Sequence, residues 1–191
     1  HAIIDFYEGE DQHSRGLHQA TCYARGSDQG RTWQRADGSP IHLPARPKDL
    51  DILARSTRSR HEKLPPPELR QGGLVVNSAG QPFAFYMDHG EAPGHCRMVR
   101  LNAEGGLEQM GINEHWQQLY PDMRALECSA TLREDDALCL LVRLTPFNDE
   151  WQQGKPTRAM RMTERSDQRL IWLISTDGGE TFRAEECLAP G

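Results

Sequence analysis

The chain has 191 residues, a formal net charge of -6 and 26% charged residues of mixed sign. This mildly acidic balance gives no indication of a nucleic-acid partner, and the longest apolar runs are far too short to cross a bilayer as a helix. The length favours one domain or at most two, and a mean hydropathy of -0.72 favours long polar loops on a β scaffold.

The first residues already have the pattern of a strand. Residues 2–7 are apolar or aromatic apart from Asp5, and neither a starting Met nor a signal peptide precedes them. We therefore expect the chain to begin inside a fold. Residues 19–25 are predicted to form the next strand, and residues 32–35 open another that closes near residues 41–43.

The least strand-like part of the chain follows. Residues 44–72 are predicted to cross between two structural units, with a short helix over residues 48–54. The basic side chains here indicate either a basic wall for an acidic ligand or an ordinary solvated connection. They are Arg46, Lys48, Arg55, Arg58, Arg60, Lys63 and Arg70.

Two groups of four predicted strands complete the chain. The first group comprises residues 73–77, 82–87, 96–101 and 107–112. The second group comprises residues 126–132, 137–144, 170–175 and 182–188. Within each group, short polar turns separate neighbouring strands, which is typical of an antiparallel meander.

The five cysteines are an odd number, so a complete disulfide framework is not expected. Cys128 and Cys139 flank a predicted hairpin centred near residues 133–134, and we expect them to face each other across it. They are then either a disulfide or two buried free thiols.

One short turn occurs twice. The Asp177 turn (residues 175–182) reads Ser-Thr-Asp-Gly-Gly-Glu-Thr-Phe, and the Asp28 turn (residues 26–33) reads Gly-Ser-Asp-Gln-Gly-Arg-Thr-Trp. Both contain Asp-x-Gly-x-Thr-aromatic after an alternating apolar stretch, which predicts a tight turn between antiparallel strands. The Asp accepts backbone N–H groups within the turn, and the Gly takes a positive φ. The structural residues are Asp28, Gly30 and Trp33 in one turn and Asp177, Gly179 and Phe182 in the other.

These two turns resemble the Asp-box, or BNR repeat, of sialidase-like β-propellers, although Gly26 stands where that family usually has Ser. The resemblance implies an all-β fold of propeller blades, each a four-stranded antiparallel sheet, with about three blades in an incomplete ring. Residues 1–191 would form one partial propeller, and a β-sandwich of the same strands is the alternative. The implied blades are residues 1–43, which lack a first strand, 73–112 and 126–188, with the crossing at 44–72.

A four-stranded meander places the loops between its second and third strands on the face opposite the Asp-box turns. Those loops are long and polar in this chain, so we expect a ligand to bind there. The candidate catalytic residues are Tyr7, His18, Tyr86, His89 and Arg143. The candidate binding residues are Glu8, Asp88, Glu91, Trp151 and Arg158.

Three chemistries fit these residues. Glycoside hydrolysis uses two carboxylates, or in sialidases a Tyr nucleophile with an acidic partner. Tyr7 with Glu8, or Tyr86 with Asp88, offers such groups, but no Phe-Arg-Ile-Pro-like segment of sialidases is present. Polysaccharide lyase chemistry uses a His or Tyr base and a cation that neutralises a uronate carboxylate. A metal site near His89 and His95 lacks a recognised spacing, so no metal or other cofactor is predicted.

The resemblance implies an extracytoplasmic protein, secreted or periplasmic, that binds a glycan, for which an acidic sugar is the favoured choice. It either cleaves the glycan, as a sialidase-like hydrolase or a polysaccharide lyase, or serves as a non-catalytic binding or scaffold module. The expected partners are the glycan and either further copies of the chain or the missing blades of a longer chain. No nucleic acid and no membrane span are expected.

Overall fold

The computed structural model describes residues 1–8, 17–56, 69–89, 95–102, 104–146 and 168–187. Within these residues the protein is built almost entirely from antiparallel strands, which confirms the predicted all-β class. Three candidate binding residues, Glu91, Trp151 and Arg158, lie outside the described residues. For Glu8 the backbone is described as part of a strand, but the side chain is not.

The first sheet has three strands in the order β1-β2-β5. They are β1 (Ala2–Glu8), β2 (Leu17–Ala24) and β5 (Asp51–Arg55). The chain between β2 and β5 forms a small hairpin and a 3₁₀ turn, namely β3 (Trp33–Gln34), β4 (Pro40–Ile41) and Pro47–Asp49. A backbone bridge between Arg25 and Gln34 joins the hairpin to the first sheet.

The structure corrects the prediction for residues 44–72. A helix over residues 48–54 is wrong, because the 3₁₀ turn ends at Asp49 and β5 follows at Asp51. β5 pairs antiparallel with β2 and buries Leu53. The hydrogen bonds to β2 and the burial of Leu53 stabilise the strand more than helix propensity stabilises a helix here, because an isolated helix of that length is marginal in water. The predicted crossing therefore contains the third strand of the first sheet.

Four-stranded meanders form the second and third sheets. The second sheet comprises β6 (Leu69–Val76), β7 (Pro82–Asp88), β8 (His95–Leu101) and β9 (Leu107–Gly111). The third comprises β10 (Met123–Leu132), β11 (Leu138–Pro146), β12 (Arg169–Ser175) and β13 (Arg183–Glu186). β6 begins at Leu69 rather than at residue 73, because Leu69 is buried and pairs with Asp88.

Helical structure is scarce. A single turn, α1 (Glu114–Gln117), connects the second and third sheets and is anchored by the fully buried Trp116. No helix in the described part of the chain has the length and apolar character needed to cross a membrane.

The sheets stack face to face, with apolar side chains between them. The largest core lies between the second and third sheets and includes the fully buried Phe85 and Ile171. A second core, which includes Tyr23, joins the first and second sheets. On its other face the first sheet is covered by the segment with the β3–β4 hairpin, where Ile41 packs in one cluster with Cys22. The described strands form this stack and do not close into a ring.

Cys128 and Cys139 do not face each other, contrary to the prediction. In the β10–β11 hairpin Cys128 pairs with Val142, whereas Cys139 pairs with Thr131. Cys128 lies three residues from Thr131, the partner of Cys139, and side chains an odd number of residues apart point to opposite faces of a strand. Cys128 and Cys139 therefore lie on opposite faces of the sheet. Both are free thiols, and the sulfur of Cys128 instead contacts that of Cys96 on the second sheet.

Candidate functional site

The Asp177 turn is held by hydrogen bonds to one carboxylate. Asp177 accepts the hydroxyl of Thr181 at 2.6 Å, the backbone N–H of Thr181 at 3.0 Å and the hydroxyl of Ser175 at 2.7 Å. These bonds, those from Thr181 first, lower the pKa of Asp177 to about 2. The carboxylate is fully used within the turn, so its role is structural.

The Asp28 turn repeats this arrangement. Asp28 accepts the backbone N–H of Thr32 at 2.9 Å and its hydroxyl at 2.8 Å, and these bonds lower the pKa of Asp28. The third residue of the motif has a positive φ in both turns, 82° at Gly30 and 87° at Gly179. The aromatic residues differ in their surroundings. Trp33 packs on the outer face of the first sheet, whereas Phe182 enters the core between the second and third sheets.

Tyr7 and His18 are two of the candidate catalytic residues. They meet at the end of the β1–β2 pair that is opposite the Asp28 turn. They pair across the strands, and their rings meet edge to face with centroids 5.2 Å apart. Nδ1 of His18 lies 3.4 Å from Oδ2 of Asp5, and Thr21 donates its hydroxyl to Oδ1 of Asp5 at 2.7 Å. Tyr7 is 56% exposed, and Asp5 and Thr21 lie behind it. In this Tyr7–His18–Asp5 cluster an imidazole lies between a carboxylate and an exposed phenol, and both the imidazole and the phenol are groups that transfer protons.

A β-bulge creates this cluster. Phe6 pairs with Ala20, but Tyr7 pairs with His18, so the register skips Gln19. Without the bulge, His18 would alternate onto the face opposite Thr21. The extra residue turns His18 toward Asp5 and Thr21, and bulges commonly re-aim a side chain in this way.

A pocket of about 230 Å³ lies against the third sheet. We call it the Glu127 pocket, and it is lined by Arg70, Gln71, Glu127, Cys128, Ser129, Leu141, Arg143 and Leu170. Glu127 lies between two guanidinium groups, at 2.9 Å from Nη2 of Arg143 and 3.1 Å from Nη2 of Arg70. Two cations around one carboxylate leave a net positive charge, and the leucines add an apolar wall. The pocket therefore suits a ligand that combines an anionic group with an apolar face.

Gln71 connects the pocket to the first sheet. Its side-chain amide donates to the carbonyl oxygen of Ile3 at 3.1 Å, and the same side chain lines the pocket. Ile3 precedes Tyr7 on β1, at about 13 Å along an extended strand. The pocket is therefore linked to the strand that carries Tyr7.

The structure gives Tyr86 a structural position rather than the catalytic one predicted. Tyr86 is 3% exposed, in the core between the first and second sheets. Its hydroxyl donates to Oε1 of Gln109 at 2.9 Å and lies 3.4 Å from the carbonyl oxygen of Leu53. Burial raises the pKa of Tyr86 to about 12, so deprotonation of this phenol is harder than that of an exposed tyrosine. A phenol in this state and position is not available as a nucleophile.

The remaining candidates divide between the end of β7 and the Glu127 pocket. His89 is buried directly after β7, and Asp88 pairs with Leu69 and His95. A ring as buried as that of His89 is not presented to a large ligand in this arrangement. Arg143 lies in the Glu127 pocket, apart from the proton-transfer groups that were predicted to act with it.

Asp5, Thr21 and Glu127 were not predicted as site residues. Asp5 could have been predicted from the sequence, because it lies between Ile4 and Phe6 in an apolar strand. A partly buried carboxylate in such a strand requires a polar partner. Among the described residues, no group of three His, Cys, Asp or Glu side chains is placed to hold a metal ion.

Comparison with protein-family models and with curated proteins finds no match to this chain. Its function is therefore inferred from the geometry of the Tyr7–His18–Asp5 cluster and the Glu127 pocket.

Proposed function

We propose that this chain belongs to a carbohydrate-active protein of the Asp-box type that binds an acidic glycan and cleaves it by β-elimination. The shared hydrogen bonding of the Asp28 and Asp177 turns supports the Asp-box resemblance. The single observation that carries the chemistry is the Tyr7–His18–Asp5 cluster, in which two predicted catalytic residues meet around a carboxylate.

The proposed reaction uses one base and one acid. The base removes the proton on the carbon beside the uronate carboxylate, the bond to the glycosidic oxygen breaks, and a carbon–carbon double bond forms. His18 is the proposed base, because its imidazole lies against the exposed Tyr7 ring and 3.4 Å from the Asp5 carboxylate. Tyr7 is the proposed acid that protonates the leaving oxygen, because its hydroxyl lies on an exposed side chain next to His18.

Hydrolysis has less support from this geometry. A glycosidase needs two carboxylates flanking the bond, or a Tyr nucleophile with an acidic partner. The carboxylate of the Tyr7–His18–Asp5 cluster is that of Asp5, which already accepts the hydroxyl of Thr21 and contacts His18. It is therefore poorly placed to protonate a leaving group.

The Glu127 pocket supports an acidic substrate. The guanidinium groups of Arg70 and Arg143 would bind a uronate carboxylate at the side of Glu127, and bidentate contacts of this kind are favoured by arginine. The apolar wall of the pocket would pack against the sugar ring. This arrangement would anchor the glycan while a unit farther along it reaches Tyr7.

The test compares the wild-type protein with Tyr7→Phe and His18→Gln on glycans with and without uronate units. We expect the wild type to form an unsaturated product, detected by ultraviolet absorbance, from the uronate glycans alone. Each substitution should lower the rate by about 100-fold or more, with glycan retention in affinity electrophoresis unchanged. Tyr86→Phe is the matched control and should keep full activity. Absence of the unsaturated product with the wild type would show that the proposed elimination is wrong, and release of free sugar in its place would indicate hydrolysis.

A non-catalytic binding or scaffold module is the second candidate. It is favoured by the structural use of two predicted catalytic residues, since Tyr86 is buried and Arg143 is paired with Glu127. Such a module would retain acidic glycans without forming any product. Retention would then weaken on Arg143→Gln and stay unchanged on His18→Gln.

A further inference from the structure

Cys96 of β8 and Cys128 of β10 meet across the interface between the second and third sheets. Their sulfur atoms are 3.6 Å apart. Cys96 is fully buried and Cys128 is 8% exposed, and both belong to the same apolar core. The contact therefore connects two separate sheets at their common core.

Gly72 makes room for this contact. A Cβ on Gly72 would lie 2.2 Å from the sulfur of Cys128 and 3.1 Å from the carbonyl oxygen of Phe85. The β6–β7 register shifts at this point, between Gln71 and Gly73. The backbone of β6 thus comes so close to Cys128 that a larger residue than glycine would displace its sulfur.

We propose that Cys96 and Cys128 form a disulfide that ties the second sheet to the third when the protein folds in the presence of a disulfide oxidant. The sulfur atoms must close from 3.6 Å to about 2.05 Å, or roughly 0.8 Å of movement for each. The cross-link would enclose β9 and α1 and restrict the connection between the two sheets.

The oxidation consists of two thiol–disulfide exchanges. One cysteine thiolate attacks an external disulfide, R–S–S–R, which forms a mixed disulfide and releases one thiol, R–SH. The second cysteine then attacks the protein sulfur of the mixed disulfide and releases a second R–SH. The two protein thiols lose two protons and two electrons in total, and the external disulfide gains them.

The native interface should slow this reaction. The hydrogen bond with Cys128 and burial raise the pKa of the Cys96 thiol well above its usual range. Little thiolate is then present at neutral pH, and the thiolate is the attacking species. We therefore expect oxidation to take place as the two sheets come together and to be much slower once they have packed.

Peptide mapping tests the pairing directly. The reduced, unfolded wild-type chain is refolded with oxidised glutathione, alkylated and digested with trypsin. Cleavage after arginine places Cys96 in peptide 71–97, Cys128 in peptide 125–133 and Cys139 in peptide 134–143. We expect peptides 71–97 and 125–133 to be joined. A link between 125–133 and 134–143, or full alkylation of all three peptides, would overturn the proposal.

Two further measurements separate this pairing from nonspecific oxidation. Cys139→Ser removes the partner predicted from the hairpin pattern and should leave the linked peptide pair unchanged. Folded, reduced wild-type protein in the same glutathione solution should form the link at least ten times more slowly than the refolding chain. Loss of the link in Cys139→Ser, or equal rates for folded and refolding protein, would contradict the proposed pairing and its timing.

Discussion

Arg100 of β8 and Glu180 of the Asp177 turn form an ion pair with a distance of 2.6 Å that joins the second sheet to the third. The same guanidinium donates to the carbonyl oxygen of Gly178 at 3.1 Å, and its Nε donates to Glu108 of β9 at 2.9 Å. The Asp177 turn is therefore attached to the neighbouring sheet as well as closed on itself.

Removal of the two partners of this pair should have unequal effects. Glu180→Gln should lower the free energy of unfolding by less than about 1 kcal/mol, because the Glu180 side chain is 60% exposed. Arg100→Gln should cost about 1–3 kcal/mol, because it also removes the bonds to Gly178 and Glu108. Urea unfolding measures both. Glu185→Gln, in an exposed pair within β13, is the control, and equal costs for the first two variants would contradict the assignment.

Two adjacent glycines in the Asp177 turn should differ in their tolerance of alanine. Gly178 and Gly179 have φ values of 70° and 87°, so both substitutions strain the backbone. A Cβ on Gly178 meets nothing within 4 Å, whereas one on Gly179 would lie 2.4 Å from Cε of Met98. We expect Gly178→Ala to cost about 1 kcal/mol and Gly179→Ala about 1–3 kcal/mol more, because a core side chain must move. Equal unfolding midpoints for Gly178→Ala and Gly179→Ala would show that Met98 moves aside without loss of stability.

The stabilisation from Asp177 should depend on pH. Its pKa is lowered to about 2, mainly by the hydroxyl and backbone N–H of Thr181. A group whose pKa is depressed in the folded state stabilises the fold fully above its unfolded pKa, about 3.9 for Asp, and loses that stabilisation as pH falls through its folded pKa. The difference in unfolding midpoint between wild type and Asp177→Asn should therefore be constant above about pH 5 and shrink between about pH 4 and 2. Thr181→Val should shift this loss to higher pH, and a pH-independent difference would contradict the prediction.

The two tyrosines assigned to catalysis from the sequence should behave in opposite ways. Tyr86→Phe removes a hydroxyl that donates to Gln109 in a buried position, so it should cost about 1–2 kcal/mol of stability without loss of activity. Tyr7 is exposed, so Tyr7→Phe should leave the unfolding midpoint unchanged and lower product formation. Thermal unfolding and product absorbance on the same preparations separate the two effects. Retained activity in Tyr7→Phe would exclude it as the acid.

The charge of the Glu127 pocket should control glycan retention. Glu127→Gln keeps the shape of the side chain but frees Arg70 and Arg143 from their shared carboxylate, so retention of uronate glycans should rise several-fold. Arg143→Gln should weaken it, and neither change should affect a neutral glycan. Glu185→Gln alters the net charge equally at a position on β13 and is the control. Equal changes in Glu127→Gln and Glu185→Gln would show that the pocket has no specific role.

Much of the fold was predictable from local patterns. Apolar runs separated by short polar turns located the meander strands of the second and third sheets, and the Asp-x-Gly-x-Thr motif located two turns with matching hydrogen bonds. The strand Asp51–Arg55 was missed because its five residues carry no strong signal of their own. It forms because β2 offers an edge to pair with.

The candidate site was predictable only in part. Tyr7 and His18 were chosen because they flank one loop, and the structure does bring their rings together. Their supporting carboxylate, Asp5, was missed, because the bulge that turns His18 toward it does not follow from alternation. Tyr86 was chosen for the same reason as Tyr7, but the packing of the first sheet against the second buries it.

Local sequence patterns were enough to identify the class of structure and the chemistry of its turns, because these depend on side chains only a few residues apart. Tertiary structure decided which strand completes the first sheet, which tyrosine reaches solvent and which cysteine lies beside Cys128. Those outcomes depend on contacts between distant segments, such as the hydroxyl of Tyr86 with Leu53 and the sulfur of Cys96 with Cys128. Such contacts arise only when sheets stack and bury their apolar faces together, and the energy of that burial belongs to the assembled core rather than to any one segment.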